Sequence, residues 1–188
     1  MIPNTEPTYE REAAYVTSWK PDDLSVGLDV GCGDRRADPG LVGVDHHNGD
    51  WQDNDGNPRH AISDVQADAR KLPYEDGSVD FLVNTHVLEH FADPTEALTE
   101  WLRVLRVGGR LAIVVPDWRR TFSCEGTDQK SSEEGHKKDY TLDELCRVLL
   151  AMPNIELLDA QVVNATNVHE PVDTWRAWSV GAAIEKIA

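Results

Sequence analysis

Residues 28–33 read Leu28-Asp29-Val30-Gly31-Cys32-Gly33. A short apolar run that closes on two glycines is the pattern of a buried strand turning sharply into a loop. Glycine carries no Cβ, so the backbone of such a turn can approach a ligand closely. Asp29 stands at the strand end, placed to orient the turn or to reach a ligand amine. Cys32 sits between the glycines, where a small side chain is needed, and reads as packing rather than as a nucleophile. Glycine pairs also end strands in proteins that bind nothing, so the turn alone leaves both readings open.

Working outward, Gly43-Val44-Asp45 places a carboxylate at the end of the next short strand, Leu41–Asp45. Nucleotide-binding sheets hold an acid there for ribose hydroxyls. Ala67-Asp68-Ala69 then precedes Leu72-Pro73, with Asp68 at the tip of a third strand, Ala61–Ala67, placed to accept from an adenine amine. Three carboxylates at successive strand ends suit a ligand with a ribose, an exocyclic amine and a positive charge. They would repel the pyrophosphate of NAD, and Arg36 stands where the dinucleotide fingerprint needs its third glycine.

The rest of the chain extends the same alternation. Residues 9–19 carry a weak helical pattern ended by Pro21. The stretch His46–Arg59, rich in Asp, Asn and Gly, reads as a loop. Phe81–Asn84 is a fourth strand. Asp93-Pro94 opens a helix as N-cap and first helical residue, with Ala97, Leu98, Trp101, Leu102 and Leu105 on one face. Gly108-Gly109 is expected to stop it, and Arg110–Val115 is a fifth strand. Thr141 and Glu144 form a capping box for a further helix, and Ile155–Val163 and Trp175–Ala183 are two closing strands. This order predicts an α/β, Rossmann-like, mostly parallel sheet of about seven strands with an antiparallel last strand and helices on both faces. One domain over residues 1–188 is expected, with residues 1–20 as an N-terminal helical extension and 118–140 as a candidate lid.

Charge and cysteine usage narrow the function. Thirty-four acids against 18 Lys and Arg give a formal charge of −16. Phosphate backbones and anionic lipids are repelled at long range by such a surface, which disfavours nucleic acid as partner. No apolar run approaches the roughly 20 residues of a membrane span, and the first residues lack the basic start of a signal peptide. Cys32, Cys124 and Cys146 have no paired spacing, so the expectation is a soluble protein of the reducing cytoplasm.

The runs LDVGCG (28–33), GVD (43–45), ADARKLPYEDGSVDFLVNTHVLEHFADP (67–94) and LRVLRVGGRLAIVVPD (102–117) together resemble the class I SAM-dependent methyltransferases, where SAM is S-adenosylmethionine. The likeness is to the small-molecule branch typified by ubiquinone-biosynthesis enzymes, and the segment RAWSVGAAIEK (176–186) resembles that family's last antiparallel strand. The resemblance implies SAM as cofactor and a small-molecule acceptor. It implies that Asp29, Gly31 and Gly33 line the methionine end of SAM, that Asp45 binds the ribose, and that Asp68 and Ala69 meet the adenine, with Cys32 and His46 also among the cofactor-binding residues. Asn84, Thr85 and His86 would lie beside the sulfonium. The chain departs from the family where Asp34–Gly40, short and carrying Pro39, leaves no room for the usual first helix.

Methyl transfer needs positioning more than a dedicated nucleophile. Where a general base assists, His90, His136 and Asp117 are the candidates. Trp118, Phe122 and Tyr140 either wall an acceptor pocket or belong to the core. His86 and His90 stand four apart, as metal ligands on a helix would, but lack the HExxH glutamate, and no metal is expected. The rival to an enzyme is a non-catalytic SAM-fold protein acting as a partner or regulator.

Overall fold

The computed structural model describes residues 6–52, 58–117, 137–138, 140–164 and 179–188. Nine strands and three α-helices are described among them. Helix α1 is Glu6–Thr17; the strands β1 (Gly27–Val30), β2 (Val42–Asp45), β3 (Gly49–Gln52), β4 (Pro58–Ala61), β5 (Val65–Gln66) and β6 (Val79–Thr85) follow. Next come a 3-10 turn Leu88–His90, α2 (Pro94–Val104), β7 (Leu105–Pro116), α3 (Leu142–Leu150), β8 (Ile155–Asn164) and β9 (Ser179–Lys186).

Seven strands form one sheet in the order β5-β2-β1-β6-β7-β9-β8. The pairs among β5, β2, β1, β6 and β7 are parallel, whereas β9 runs antiparallel to both β7 and β8. The expected mostly parallel, Rossmann-like sheet with an antiparallel last strand is therefore present. Alternation along each strand divides its side chains between two apolar layers. Leu28, Val30, Leu82, Leu111, Ile113 and Val180 pack under α2 and α3. Phe81, Val83, Ala112 and Val114 face the other way and pack against Tyr15 and Val16 of α1. Helices thus cover both faces, which is why the central strands read as nearly continuous apolar runs.

Helix ends follow local chemistry. Asp93 caps α2 by accepting from the Thr95 N–H at 2.9 Å, with Pro94 at the first helical position. Thr141 and Glu144 form the predicted capping box of α3. The expected stop at Gly108-Gly109 is corrected: α2 ends at Val104, and the glycines lie inside β7. The Lys186 ammonium donates to the carbonyls of Leu102 and Leu105, both at 2.9 Å, and so supplies the C-terminal cap from a distant strand. Gly109 is needed instead for a close approach, because a Cβ there would lie 2.8 Å from the Arg106 carbonyl and 3.1 Å from that of Asp80.

The antiparallel strands β3 and β4 fall within and just beyond the expected loop His46–Arg59. Asp50 meets His60 at 2.6 Å across the two strands, while Trp51 stacks on His47, just before β3, with ring centroids 4.0 Å apart. The third strand correspondingly shrinks to Val65–Gln66, and Ala61 ends the hairpin. Strand β9 runs on to Lys186; residues 175–178 of the expected last strand lie outside the described residues. Among the described residues no helix is long and apolar enough to cross a membrane.

Candidate functional site

The chain passes from β1 to β2 on one side and later places β6 on the other side of β1. A sheet whose order reverses in this way opens a crevice at the carboxyl ends of those strands, where ligands bind. The glycine turn occupies that position. Gly31 has φ +80°, and a Cβ on it would sit 2.0 Å from a Val87 methyl, so the segment after β6 packs directly on this glycine. Gly33 also lies in the left-handed region, at φ +53°, but a Cβ there would meet nothing within 4 Å. The first glycine is required by packing; the second faces open space.

Asp45 holds the turn. The Gly33 N–H donates to Asp45 Oδ2 at 2.9 Å and the His47 N–H to Oδ1 at 2.8 Å. The Ala67 N–H donates to the Asp45 carbonyl at 2.9 Å, so one residue ties together the turns after β1, β2 and β5. Asp68 lies in the last of these turns. Its carboxylate takes Arg70 Nη2 at 2.7 Å and Nε at 3.0 Å, and the Arg70 guanidinium holds it down at about 2. The Gln66 side-chain amide donates to the His46 carbonyl at 3.0 Å, so the loops after β2 and β5 converge. The Ala69 carbonyl is anchored on α2 by the Trp101 indole N–H at 2.9 Å.

Asp29 and Cys32 play inward parts. Asp29 is 3% exposed and accepts the Ala37 N–H at 2.7 Å, shaping the loop that replaces a first helix. Burial pushes its carboxyl up to about 6, against the opposing pull of that N–H and of Arg36. Burial likewise pushes the Cys32 thiol up to about 12, in keeping with a packing role.

At the end of β6, Asn84 Nδ2 donates to the Val30 carbonyl at 2.8 Å and so bridges the two central strands. Asn84 Oδ1 and Thr85 Oγ1 are buried and have no hydrogen-bond partner among the described residues. His86 follows at φ +57°, its N–H bonded to the Val114 carbonyl at 3.0 Å. Its ring lies between two acids: Nε2 is 3.0 Å from Glu12 Oε2, and Nδ1 is 3.6 Å from Glu89 Oε1. Both acids are almost fully buried, at 2% and 1% exposure, while the His86 side chain retains 36%. Burial works to lower the imidazole, but the two carboxylates overcome it and hold it up at about 10. His86 is therefore an imidazolium at neutral pH and unsuited to act as a base.

The base candidates separate. His90 is exposed at the end of the 3-10 turn, Asp117 is 2% exposed just beyond β7 and bridges to Tyr140, and His136 lies outside the described residues. So do Trp118, Phe122 and most of the candidate lid; Tyr140 is fully buried. Glu12 and Glu89 were not legible as site residues. Glu89 offered a weak signal in its spacing of three from His86, whereas Glu12 is 74 residues away and offered none.

Residues 28–113 match the family model for a methyltransferase domain. An uncharacterised 37.1 kDa protein in a Streptomyces fradiae transposon is 55% identical over 58 residues, which cover 31% of this chain and 17% of that protein. A probable S-adenosylmethionine-dependent methyltransferase of Mycobacterium tuberculosis is 38% identical over 86 residues, covering 46% of this chain and 30% of the relative. The chain thus matches less than a third of the length of either relative. The whole fold is shared with the 1,6-didemethyltoxoflavin-N1-methyltransferase of Burkholderia thailandensis, solved with 1,6-didemethyltoxoflavin and S-adenosylhomocysteine (SAH) bound. The TM-score is 0.66 at 17% identity, over 98% of this chain and 80% of that one. Residues 28–113 are thus similar to a methyltransferase domain, and the Rossmann-like sheet is the fold shared with that methyltransferase of known structure.

Proposed function

We propose that this chain is a SAM-dependent methyltransferase acting on a small-molecule acceptor. The observation that carries the reading is the glycine turn at the switch point, where Gly33 faces open space while Asp45 holds it from behind. A Cβ would intrude into that space, and the neighbouring Asn84 Oδ1 and Thr85 Oγ1 are buried acceptors without partners among the described residues. These features suit SAM. Gly31, Cys32 and Gly33 would offer backbone to its methionine end, Asp45 and His46 would meet the ribose, and Asp68 with Ala69 would flank the adenine. Asp45 can do so while keeping its backbone contacts, since each carboxylate oxygen has a second lone pair. When bound, SAM supplies a methyl group activated on a sulfonium.

The chain's own residues then position the acceptor and, where a proton must leave, remove it. Asp117, His90 and His136 remain the candidate bases; Asp29 serves the adjoining loop. A charge of −16 favours a small molecule over nucleic acid, the sequence resemblance favours the branch typified by ubiquinone-biosynthesis enzymes, and three cysteines without paired spacing fit the cytoplasm. One observation favours a second reading: residues 34–40 form no helix, so a non-catalytic SAM-fold protein is the rival.

Calorimetric titration with SAM and with SAH tests the proposal, with Gly33→Val and Asp45→Ala as controls. Micromolar binding weakened in both variants supports the cofactor site, and release of labelled methyl to an acceptor pool then separates enzyme from regulator. A folded protein that binds neither ligand overturns the reading.

A further inference from the structure

The turn after β5 is pinned to α2 through its backbone. The Trp101 indole N–H holds the Ala69 carbonyl at 2.9 Å, and Glu100 Oε1 accepts the Leu72 N–H at 2.7 Å. The Asp68 carboxylate is held differently: among the described residues, every hydrogen bond it accepts comes from Arg70. Oδ1 accepts the Arg70 backbone N–H at 2.8 Å and Nε at 3.0 Å, and Oδ2 accepts Nη2 at 2.7 Å. Each carboxylate oxygen has two lone pairs, so Oδ1 is filled and Oδ2 keeps one acceptor position. Arg70 is itself braced. Its Nη1 lies 3.8 Å from Glu96 Oε2 on α2, and its guanidinium lies over the Phe91 ring, 5.6 Å from the centroid. The Asp68 side chain is 39% exposed, and a carboxylate so open to water would otherwise sample several rotamers. The planar fork of arginine removes that freedom.

We propose that Arg70 is the positioning residue that makes Asp68 selective for a 6-aminopurine: the guanidinium fork fixes the carboxylate so that the remaining lone pair of Oδ2 meets the exocyclic amine. The inference rests on the SAM reading of the site and deepens it, by stating which oxygen reads the base and what holds that oxygen. Arg70 touches Asp68 and not the ligand. A 6-oxopurine presents a carbonyl where the amine would stand, and a carboxylate that is fixed in place repels it instead of turning away. Lysine at position 70 would keep the charge but not the fork, so it cannot grip both oxygens in one geometry.

The test is calorimetric titration with SAH and with its 6-oxo analogue, S-inosylhomocysteine. The two carry the same net charge, so long-range electrostatics cancel in the ratio of their affinities. Wild type, Arg70→Ala, Arg70→Lys, Asp68→Asn and the double variant Asp68→Asn/Arg70→Ala are compared, each checked for folding by thermal unfolding. Both side chains are partly exposed, at 39% and 48%, so the variants should fold. Wild type is expected to prefer SAH by at least about tenfold. Arg70→Ala and Arg70→Lys should each reduce that preference at least about threefold, and Arg70→Ala should add nothing to Asp68→Asn, because it acts through that carboxylate. A merely structural role would weaken both ligands together and leave the ratio at its wild-type value, which overturns the proposal. So does SAH binding more tightly to Arg70→Ala, which would mean that Arg70 competes with the ligand for Asp68. Wild type that binds both ligands equally sinks this inference alone. Folded wild type that binds neither sinks the SAM reading, and this inference with it.

Discussion

Gly33 and Asp45 are joined across two strand ends: the glycine N–H donates to Oδ2 of the carboxylate at 2.9 Å while Oδ1 holds the His47 N–H at 2.8 Å. The acid therefore shapes the turn that would carry the cofactor before it meets any ligand. Asp45→Ala leaves two backbone donors without their acceptor and is expected to cost about 1–3 kcal/mol of stability, read from denaturant midpoints. SAM affinity should fall further than stability explains. Asp45→Asn keeps one acceptor and should lose less of both; a wild-type midpoint for Asp45→Ala would refute the link.

The two glycines of the turn should separate folding from binding. Gly31→Ala meets both a positive φ and a Val87 methyl 2.0 Å from its new Cβ, and is expected to destabilise by about 2 kcal/mol or more. Gly33→Ala adds only left-handed strain, about 1–2 kcal/mol, because its Cβ meets nothing within 4 Å. Its larger effect should appear in SAM titration. Equal losses of stability in the two variants would contradict the packing described for Gly31.

His86 sets a basic limb in the stability profile. Its folded value of about 10 lies above the ordinary 6.5, so its contribution is complete below about 6.5 and is lost as pH rises through 10. The stability difference between wild type and His86→Asn should shrink steadily over that window in urea melts. A difference independent of pH would show that the imidazole is not held charged.

Asp29 acts at the acid end. Its folded value of about 6 also lies above the ordinary 3.8, so the folded chain keeps the proton longer and stability declines as pH rises from about 4 to 6. Asp29→Asn keeps an acceptor for the Ala37 N–H and removes the buried charge. It should gain about 1–3 kcal/mol relative to wild type at pH 7 and nothing at pH 3, again from urea melts. No gain at pH 7 would mean the carboxyl ionises there without penalty.

The capping box of α3 offers a local control. Thr141 Oγ1 accepts the Glu144 N–H at 3.2 Å, and Glu144 Oε2 accepts the Thr141 N–H at 2.8 Å. Thr141→Ala should cost about 1 kcal/mol in thermal melts and leave SAM affinity unchanged. A change in affinity would tie α3 to the site.

What the amino-acid order determined by itself is the set of features whose causes lie within a few residues. The apolar run into Gly31 and Gly33, the acid closing β2, the Asp93-Pro94 start of α2 and the Thr141–Glu144 box all act through neighbours in the chain. Alternating strands and helices then implied a mostly parallel sheet, because consecutive parallel strands need a crossover between them. Tertiary structure decided the rest. Polar residues 49–52 and 58–61 pair as antiparallel strands, with Asp50 reaching His60 across them. Helix α2 gave way to β7 at Leu105, where Lys186, 84 residues from Leu102, donates to the Leu102 carbonyl. Asp29 turned to Ala37, Asp68 to Arg70, and His86 to a glutamate on the first helix. A carboxylate at a strand end has the same sequence signature whether it faces a ligand, a backbone N–H or an arginine. Only the order of strands, and the face to which each side chain alternates, selects among those partners.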